Sequence, residues 1–223
     1  MEEIKHRVCK KFEILVLVDL GGLLFCRTKT SFQDCAVEPD FNIKHYWTTQ
    51  DYFYKFYLRP GFKQLLELQK HPRAKLSFYT AMKHYNIVPI LPNILEKADL
   101  LEELEAAEIF PASYCIKSKE TTTKQNTKEW HDYQKDLDKV AKSEYCRTNN
   151  FDQSNILLID SKLSRVQLCR QNALVCTEYT VEDVEGKTGT ARDVTAQEKE
   201  LNDLTEYITN LLENANSVPT YLA

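Results

Sequence analysis

The chain has 223 residues, with 29 lysines and arginines against 33 aspartates and glutamates, for a formal net charge of -4. That length suffices for one sizeable domain with its own core, and so mild a charge gives no ground for a general polyanion-binding role. A composition of 43% hydrophobic and 28% charged residues suits a soluble globular protein.

Seven cysteines stand at positions 9, 26, 35, 115, 146, 169 and 176, odd in number and without a Cys-x-x-Cys pair. The pattern fits reduced thiols in a nuclear or cytoplasmic compartment better than a disulfide framework, and it lacks zinc-ligand spacings. Met1 to Arg7 carry no signal-peptide core, and the longest apolar run, Ile14 to Val18, is too short to span a membrane.

That run opens the first element. Five branched apolar residues end at Asp19 and are followed by Gly21-Gly22, the pattern of a strand buried on both faces. Asp19 then falls at the carboxyl end of the strand, where open α/β sheets place their ligands. Burying a carboxylate without a partner is costly, so the position calls for a metal, a phosphoryl group or a fixed hydrogen bond. The structural alternative is an aspartate that caps the Gly-Gly turn.

Residues 41–58 alternate aromatic and β-branched residues around a polar turn and predict a hairpin, whose rings suit either a core or a ligand-facing flap. Arg59-Pro60-Gly61 ends it. Phe62 to Lys70 predicts a short amphipathic helix, stopped by His71-Pro72, and Ala74 to Tyr79 a second buried strand ending at Thr80. Helical patterns return at about 83–91 and 96–107. Residues of about 116–128 have little apolar content and predict an exposed loop, whose lysines are either solvated or face an acidic or phosphorylated partner. Asn155 to Ile159 predicts a third strand, again closed by an aspartate, Asp160; Ala173 to Thr177 a fourth; Gly186 to Gly189 a loop. Ala196 to Leu212 has apolar residues at 201, 204, 208, 211 and 212, one face of a final helix. Residues 1–11 read as an extension, 12–213 as one domain and 214–223 as a tail. Strands alternating with helices argue for a parallel sheet covered by helices.

Asp19, Thr80, Lys135 and Asp160 all fall at strand ends or just after. In a parallel sheet these ends share one rim, so two carboxylates, a hydroxyl and an ammonium would meet in one cleft. Carboxylates with magnesium, plus donors aimed at phosphoryl oxygens, are ordinary parts for phosphoryl chemistry.

With these residues in place the chain resembles the haloacid dehalogenase superfamily, and within it the NLI-interacting-factor-like domain of RNA polymerase II C-terminal-domain phosphatases. The matching segments are Leu15 to Leu24, Tyr57-Leu58-Arg59-Pro60-Gly61-Phe62, Phe78-Tyr79-Thr80-Ala81, Lys135-Asp136-Leu137, Asn155 to Ser161, Asn172-Ala173 and Glu200 to Leu204, covering about residues 12 to 213. The resemblance implies a Rossmannoid α/β fold: a parallel sheet flanked by helices, with a small β-hairpin insertion after the first strand. It puts Asp19 in the place of the nucleophile that becomes an aspartyl-phosphate. It implies that Thr80 holds a phosphoryl oxygen and that Lys135, with Lys128 as the alternative, offsets charge on the phosphoaspartate. Magnesium would meet Asp19, the backbone carbonyl of Gly21, Asp160 and Ser161.

Several positions depart from the family pattern. The general acid and base two residues after the nucleophile is Gly21, which has no titratable group, and the threonine expected two residues further is Leu23. The last motif reads Asp160-Ser161-Lys162-Leu163, so a poorer ligand and a positive charge stand near the metal's place. Magnesium is therefore expected to be weak or absent. The first expectation is a pseudophosphatase that binds a phosphorylated peptide, protein or protein complex. The second is a slow magnesium-dependent serine/threonine phosphatase in which His45 or Glu38 supplies the proton. The third is a scaffold subunit of an RNA-processing or import assembly. The family's mitochondrial inner-membrane import subunit carries a targeting segment and a membrane span, which this sequence is read to lack. No membrane partner is expected, and nucleic acid only indirectly if at all.

Overall fold

A computed structural model describes residues 13–29, 38–44, 53–104, 106–117, 133–180, 184 and 194–223. In chain order the strands are β1 (Ile14–Val18), β2 (Phe25–Lys29), β3 (Phe41–Lys44), β4 (Phe53–Leu58), β5 (Ala74–Tyr79), β6 (Ile109–Phe110), β7 (Cys115–Lys117), β8 (Tyr133–Lys135), β9 (Ile156–Asp160) and β10 (Ala173–Val175). The helices are α1 (Phe62–Leu66), α2 (His84–Ile87), α3 (Leu91–Ala98), α4 (Leu101–Leu104), α5 (Leu137–Ala141), α6 (Glu144–Asn149), α7 (Val194–Asn214) and α8 (Val218–Leu222).

The central sheet has the order β10-β9-β1-β5-β6, and every pairing in it is parallel. β1 lies in the middle and is buried along its whole length. Its side chains alternate between two cores, as the two-residue strand period requires. Val16 and Val18 join Leu76, Phe78, Leu157 and Ile159 in the core that α1, α3 and α7 cover. Leu15 and Leu17 join Tyr79, Ile156 and Leu158 in the core closed by α5 and Cys146 of α6. Val18 is level with Phe78 on one side and Ile159 on the other, so the carboxyl ends of the three central strands align.

The expected hairpin is present as β3 and β4, and β2 pairs with the far edge of β4 to make a three-stranded antiparallel sheet. Phe56 stacks on Phe41 at 4.8 Å and meets Phe25 edge-on at 5.2 Å, so these rings form a core. The polar turn of the hairpin lies outside the described residues, as do Gly186 to Gly189.

Four boundaries differ from the sequence reading. The helix expected over Phe62 to Lys70 tightens into a 3-10 turn at Glu67–Lys70. The helical patterns at 83–91 and 96–107 break instead around α3, which starts with Pro92 in its first turn and stops at Asp99 in the left-handed conformation (φ 58°). Ile116 and Lys117, expected in an exposed loop, pair antiparallel with Gln134 and Tyr133 of β8; residues 118–132 lie outside the described residues. The segment 214–223, expected as a tail, packs onto the domain. Ala215 and Val218 are buried in the main core, and the N–H of Val218 donates to Ser154 O at 2.8 Å.

A buried arginine ties the two sheets together. Arg59, at the end of β4, donates to Thr177 O at 2.8 Å and pairs with Glu200 of α7 at 2.8 Å. Gly61 follows with φ 85°, and an added Cβ there would stand 3.0 Å from Leu201 Cβ. The close approach of α1 to α7 needs a residue with no side chain in a left-handed conformation. Among the described residues no helix is long and apolar enough to cross a membrane. Cys115, Cys146, Cys169 and Cys176 are free thiols.

Candidate functional site

The aligned strand ends bring the polar residues together. Asp19 follows β1, Thr80 follows β5, and Asp160 is the last residue of β9 rather than the first beyond it. Lys135 arrives from β8, outside the central sheet. Its ammonium lies 2.9 Å from Asp19 Oδ1 and 2.7 Å from Asp160 Oδ2, and it donates to Tyr79 O at 2.5 Å. The ammonium donates hydrogen bonds to Asp19 and Tyr79 O, and Asp160 stands against it as an ion pair. All three charged side chains are fully buried.

The segment that delivers Lys135 is fixed on both sides. Cys115 of β7 pairs with Lys135 itself. The N–H of Asp136 donates to Tyr79 Oη at 2.7 Å, and that hydroxyl donates to Tyr114 O at 3.0 Å. The Asp136 side chain then accepts from Asp138 N and Lys139 N and so starts α5. Lys135, not Lys128, holds the position between the carboxylates; Lys128 lies outside the described residues.

Arg165 was not anticipated from the sequence. It closes the 3-10 turn Leu163–Arg165 that follows β9, and its Nη1 stands 3.4 Å from Asp19 Oδ2. The same turn places the N–H of Lys162 at 2.8 Å from Asp160 Oδ1. The one available signal was nearness: five residues separate Arg165 from the strand-ending Asp160, within reach of the same rim. Burial pushes the Asp19 carboxyl up, Lys135 and Arg165 pull it back and Asp160 pushes it further, which leaves it raised to about 6. Burial works against the Lys135 ammonium, yet the two carboxylates outweigh it and hold Lys135 above its ordinary value.

Above this buried trio opens a cavity of about 480 Å³, whose lining includes Gly21, Thr80, Met82, Tyr133, Arg165 and Tyr179. Thr80 Oγ1 accepts from Met82 N at 3.2 Å and keeps its own proton free to donate. Gly21 faces open space, since an added Cβ would meet nothing within 4 Å. Gly22, at φ 86°, is tightly placed: a Cβ there would stand 2.7 Å from Ser161 Oγ. That hydroxyl is itself buried without a hydrogen-bond partner. Lys162 pairs with Glu178 at 2.9 Å beside the cavity. Leu23 is fully buried in the main core, which is why an apolar residue suits that position. Of the two alternative proton sources, Glu38 is exposed and His45 lies outside the described residues.

The oxygen donors that magnesium would meet are the two carboxylates, the Gly21 carbonyl and the Ser161 hydroxyl. In kind they suit a hard cation. In charge they do not: each of the four carboxylate oxygens already faces a cation or an N–H, and Lys135 with Arg165 balances Asp19 with Asp160. That balance leaves no surplus negative charge to offset the dehydration of a dication. Among the described residues no group of three or more His, Cys, Asp or Glu side chains is placed to hold a metal ion.

The family model for NLI interacting factor-like phosphatases matches residues 14–219. The chain belongs to this family. The five-stranded parallel sheet with flanking helices is the α/β architecture that the strand motifs anticipate. One similar solved structure is an arginine variant of Fcp1, the fission yeast RNA polymerase II CTD phosphatase, bound to beryllium fluoride. It is 14% identical with a TM-score of 0.48, and the alignment covers 94% of this chain and 61% of that one. Another, described as Fcp1, an essential RNA polymerase II CTD phosphatase, is 15% identical with a TM-score of 0.49, covering 93% of this chain and 56% of that one. This NLI interacting factor-like chain thus spans less than two thirds of the length of either. No curated protein matches it.

Proposed function

We propose that this phosphatase-family domain is catalytically impaired, and that it uses the cleft above Asp19 to bind a phosphorylated peptide or protein, with magnesium held weakly or not at all. One observation carries the reading: Asp19 is sealed from the cleft, with Lys135 on one oxygen and Arg165 on the other, while position 21 offers no acid. Loss of a positioned acid–base group alone costs ~10²–10⁴-fold in rate. A nucleophile that must also shed a guanidinium before it can attack loses more. What lines the cavity suits recognition. Arg165 and the Thr80 hydroxyl in its wall offer donors for phosphoryl oxygens, and the half-buried Met82 and Tyr133 offer apolar surface to the residues around them.

In this reading Asp19, Thr80 and Lys135 keep the places of the catalytic set, and Asp19, Gly21, Asp160 and Ser161 those of the metal ligands, without supporting efficient turnover. The free thiols favour a reducing compartment, nuclear or cytoplasmic. The test is hydrolysis of p-nitrophenyl phosphate and of phosphoserine peptides with magnesium, against an Asp19→Asn control. Impairment predicts no difference between the two proteins. Turnover that disappears in Asp19→Asn would overturn the reading in favour of a slow phosphatase.

A further inference from the structure

We infer that Arg165 is the cation that grips the ligand in this cleft, and that Asp19, standing in the nucleophile's place, is its positioning residue. The inference rests on the reading that the cleft takes a phosphorylated partner, and it assigns which side chain recognises the phosphoryl group and which does not.

The assignment follows from what each charged group near the cleft is already doing. Lys135 is out of reach: it donates to Asp19 and Tyr79 O, pairs with Asp160 at 2.7 Å, and its side chain is fully buried. Lys162 is engaged with Glu178 at 2.9 Å. Arg27 also lines the cavity, from β2, with its guanidinium 4.9 Å from the centre of the Tyr54 ring. Arg165 alone among these both lines the cavity and contacts Asp19. Its side chain is 24% exposed, it lines the cavity with Gly21 and Thr80, and its Nη1 leans on the wholly buried Asp19 Oδ2 at 3.4 Å. A guanidinium carries five N–H donors in a rigid fork. The long contact with Asp19 uses one and leaves the others directed elsewhere.

A phosphoryl group is met best by such a fork, through two parallel charge-assisted hydrogen bonds. Gly21 keeps the approach clear, because no side chain rises from it and space surrounds it. Thr80 adds a hydroxyl from the opposite strand end. Asp19 then does for Arg165 what a carboxylate does for many functional side chains: it fixes the rotamer and keeps the fork facing outward. The positive charge that offsets the phosphoryl group comes from the chain itself, so capture does not depend on a divalent cation.

The test uses the full chain and a fluorescently labelled phosphoserine peptide, its unphosphorylated twin and inorganic phosphate as competitor, followed by anisotropy with magnesium or with a chelator. The wild-type protein should prefer the phosphorylated peptide, equally in both buffers. Arg165→Gln should lose about tenfold or more in affinity, the scale of a charged hydrogen bond, and Arg165→Lys should fall between, keeping charge without the fork. Asp19→Asn should weaken binding while Arg165 is present and have no further effect in Arg165→Gln, a coupling that a merely structural role would not give. Removing Arg165 also uncovers the Asp19 oxygen, so magnesium should raise the melting temperature of Arg165→Gln and not of the wild type. Thermal unfolding checks that each variant folds, and Arg165→Lys carries the comparison if Arg165→Gln does not. Phosphorylation-dependent binding that survives Arg165→Gln, or that vanishes with the chelator, overturns this assignment and leaves the reading of the cleft standing. Failure of the wild type to bind either the phosphopeptide or inorganic phosphate overturns both.

Discussion

Lys135 Nζ lies 2.9 Å from Asp19 Oδ1 across 116 positions of sequence, with both side chains fully excluded from solvent. A buried ion pair of this kind adds little net stability, because desolvation offsets the attraction, but breaking it by removing one partner is costly. Lys135→Met should therefore destabilise the fold by ~3–5 kcal/mol, since it strands two buried carboxylates. Urea unfolding monitored by circular dichroism measures it. A loss below about 1 kcal/mol would mean that water reaches the trio.

The same trio sets a pH dependence. The folded chain holds the Asp19 proton more tightly than the unfolded chain does, with a pKa raised from 3.8 to about 6. The sign follows from linkage: this carboxyl favours the fold most below about pH 3.8, and that contribution is lost as pH rises through about 6. Lys135 acts at the other end: its pKa is raised, so its contribution is full below the ordinary lysine value of 10.5 and is lost as pH rises above that value. Stability measured from pH 4 to 7 should thus contain a falling component that Asp19→Asn lacks. Equal slopes in the two proteins would show that Asp19 is ionised throughout.

Gly21 gives the sharpest substitution. A Cβ there meets nothing within 4 Å, and its backbone is not in the left-handed region, so Gly21→Asp should fold normally, within ~0.5 kcal/mol of wild type. It places a carboxyl where the sequence resemblance puts the acid and base. Activity toward p-nitrophenyl phosphate should nonetheless stay low, because Arg165 still covers Asp19, and Leu23 and Ser161 are unchanged. Full activity from this one substitution would contradict the impaired reading.

The parts of this site that are legible in the sequence are those on the central strands. Ile14 to Val18 and Ile156 to Asp160 are fully buried parallel strands, Ala74 to Tyr79 is exposed only at Lys75, and such strands appear as apolar runs that stop abruptly at a polar residue. Lys135 is found through its motif, but its strand is not. Tyr133-Gln134-Lys135 and Cys115-Ile116-Lys117 are short and polar, and Lys135 is buried because its charge is matched, which no hydropathy pattern records. Arg165 escapes for a related reason: a 3-10 turn has no apolar period, and its contact with Asp19 is made in space alone. The helix Val218–Leu222 was missed because only Val218 is buried, too few residues to mark a face.

Arg59 allows a test of the join between the two sheets. Its guanidinium is fully buried, donates to Thr177 O, and pairs with Glu200, whose side chain is 32% exposed. Glu200→Ala would leave that guanidinium with a backbone carbonyl and no counter-charge, and should cost about 3 kcal/mol, as removal of one partner from a buried pair does. Lys199 and Asp203, one turn apart on the exposed side of the same helix, make a shorter contact at 2.6 Å. Water screens that pair, so Asp203→Ala should leave stability unchanged within error. Urea midpoints of the two variants separate the cases: if both shift alike, the loss reflects helix propensity in α7 rather than burial of Arg59.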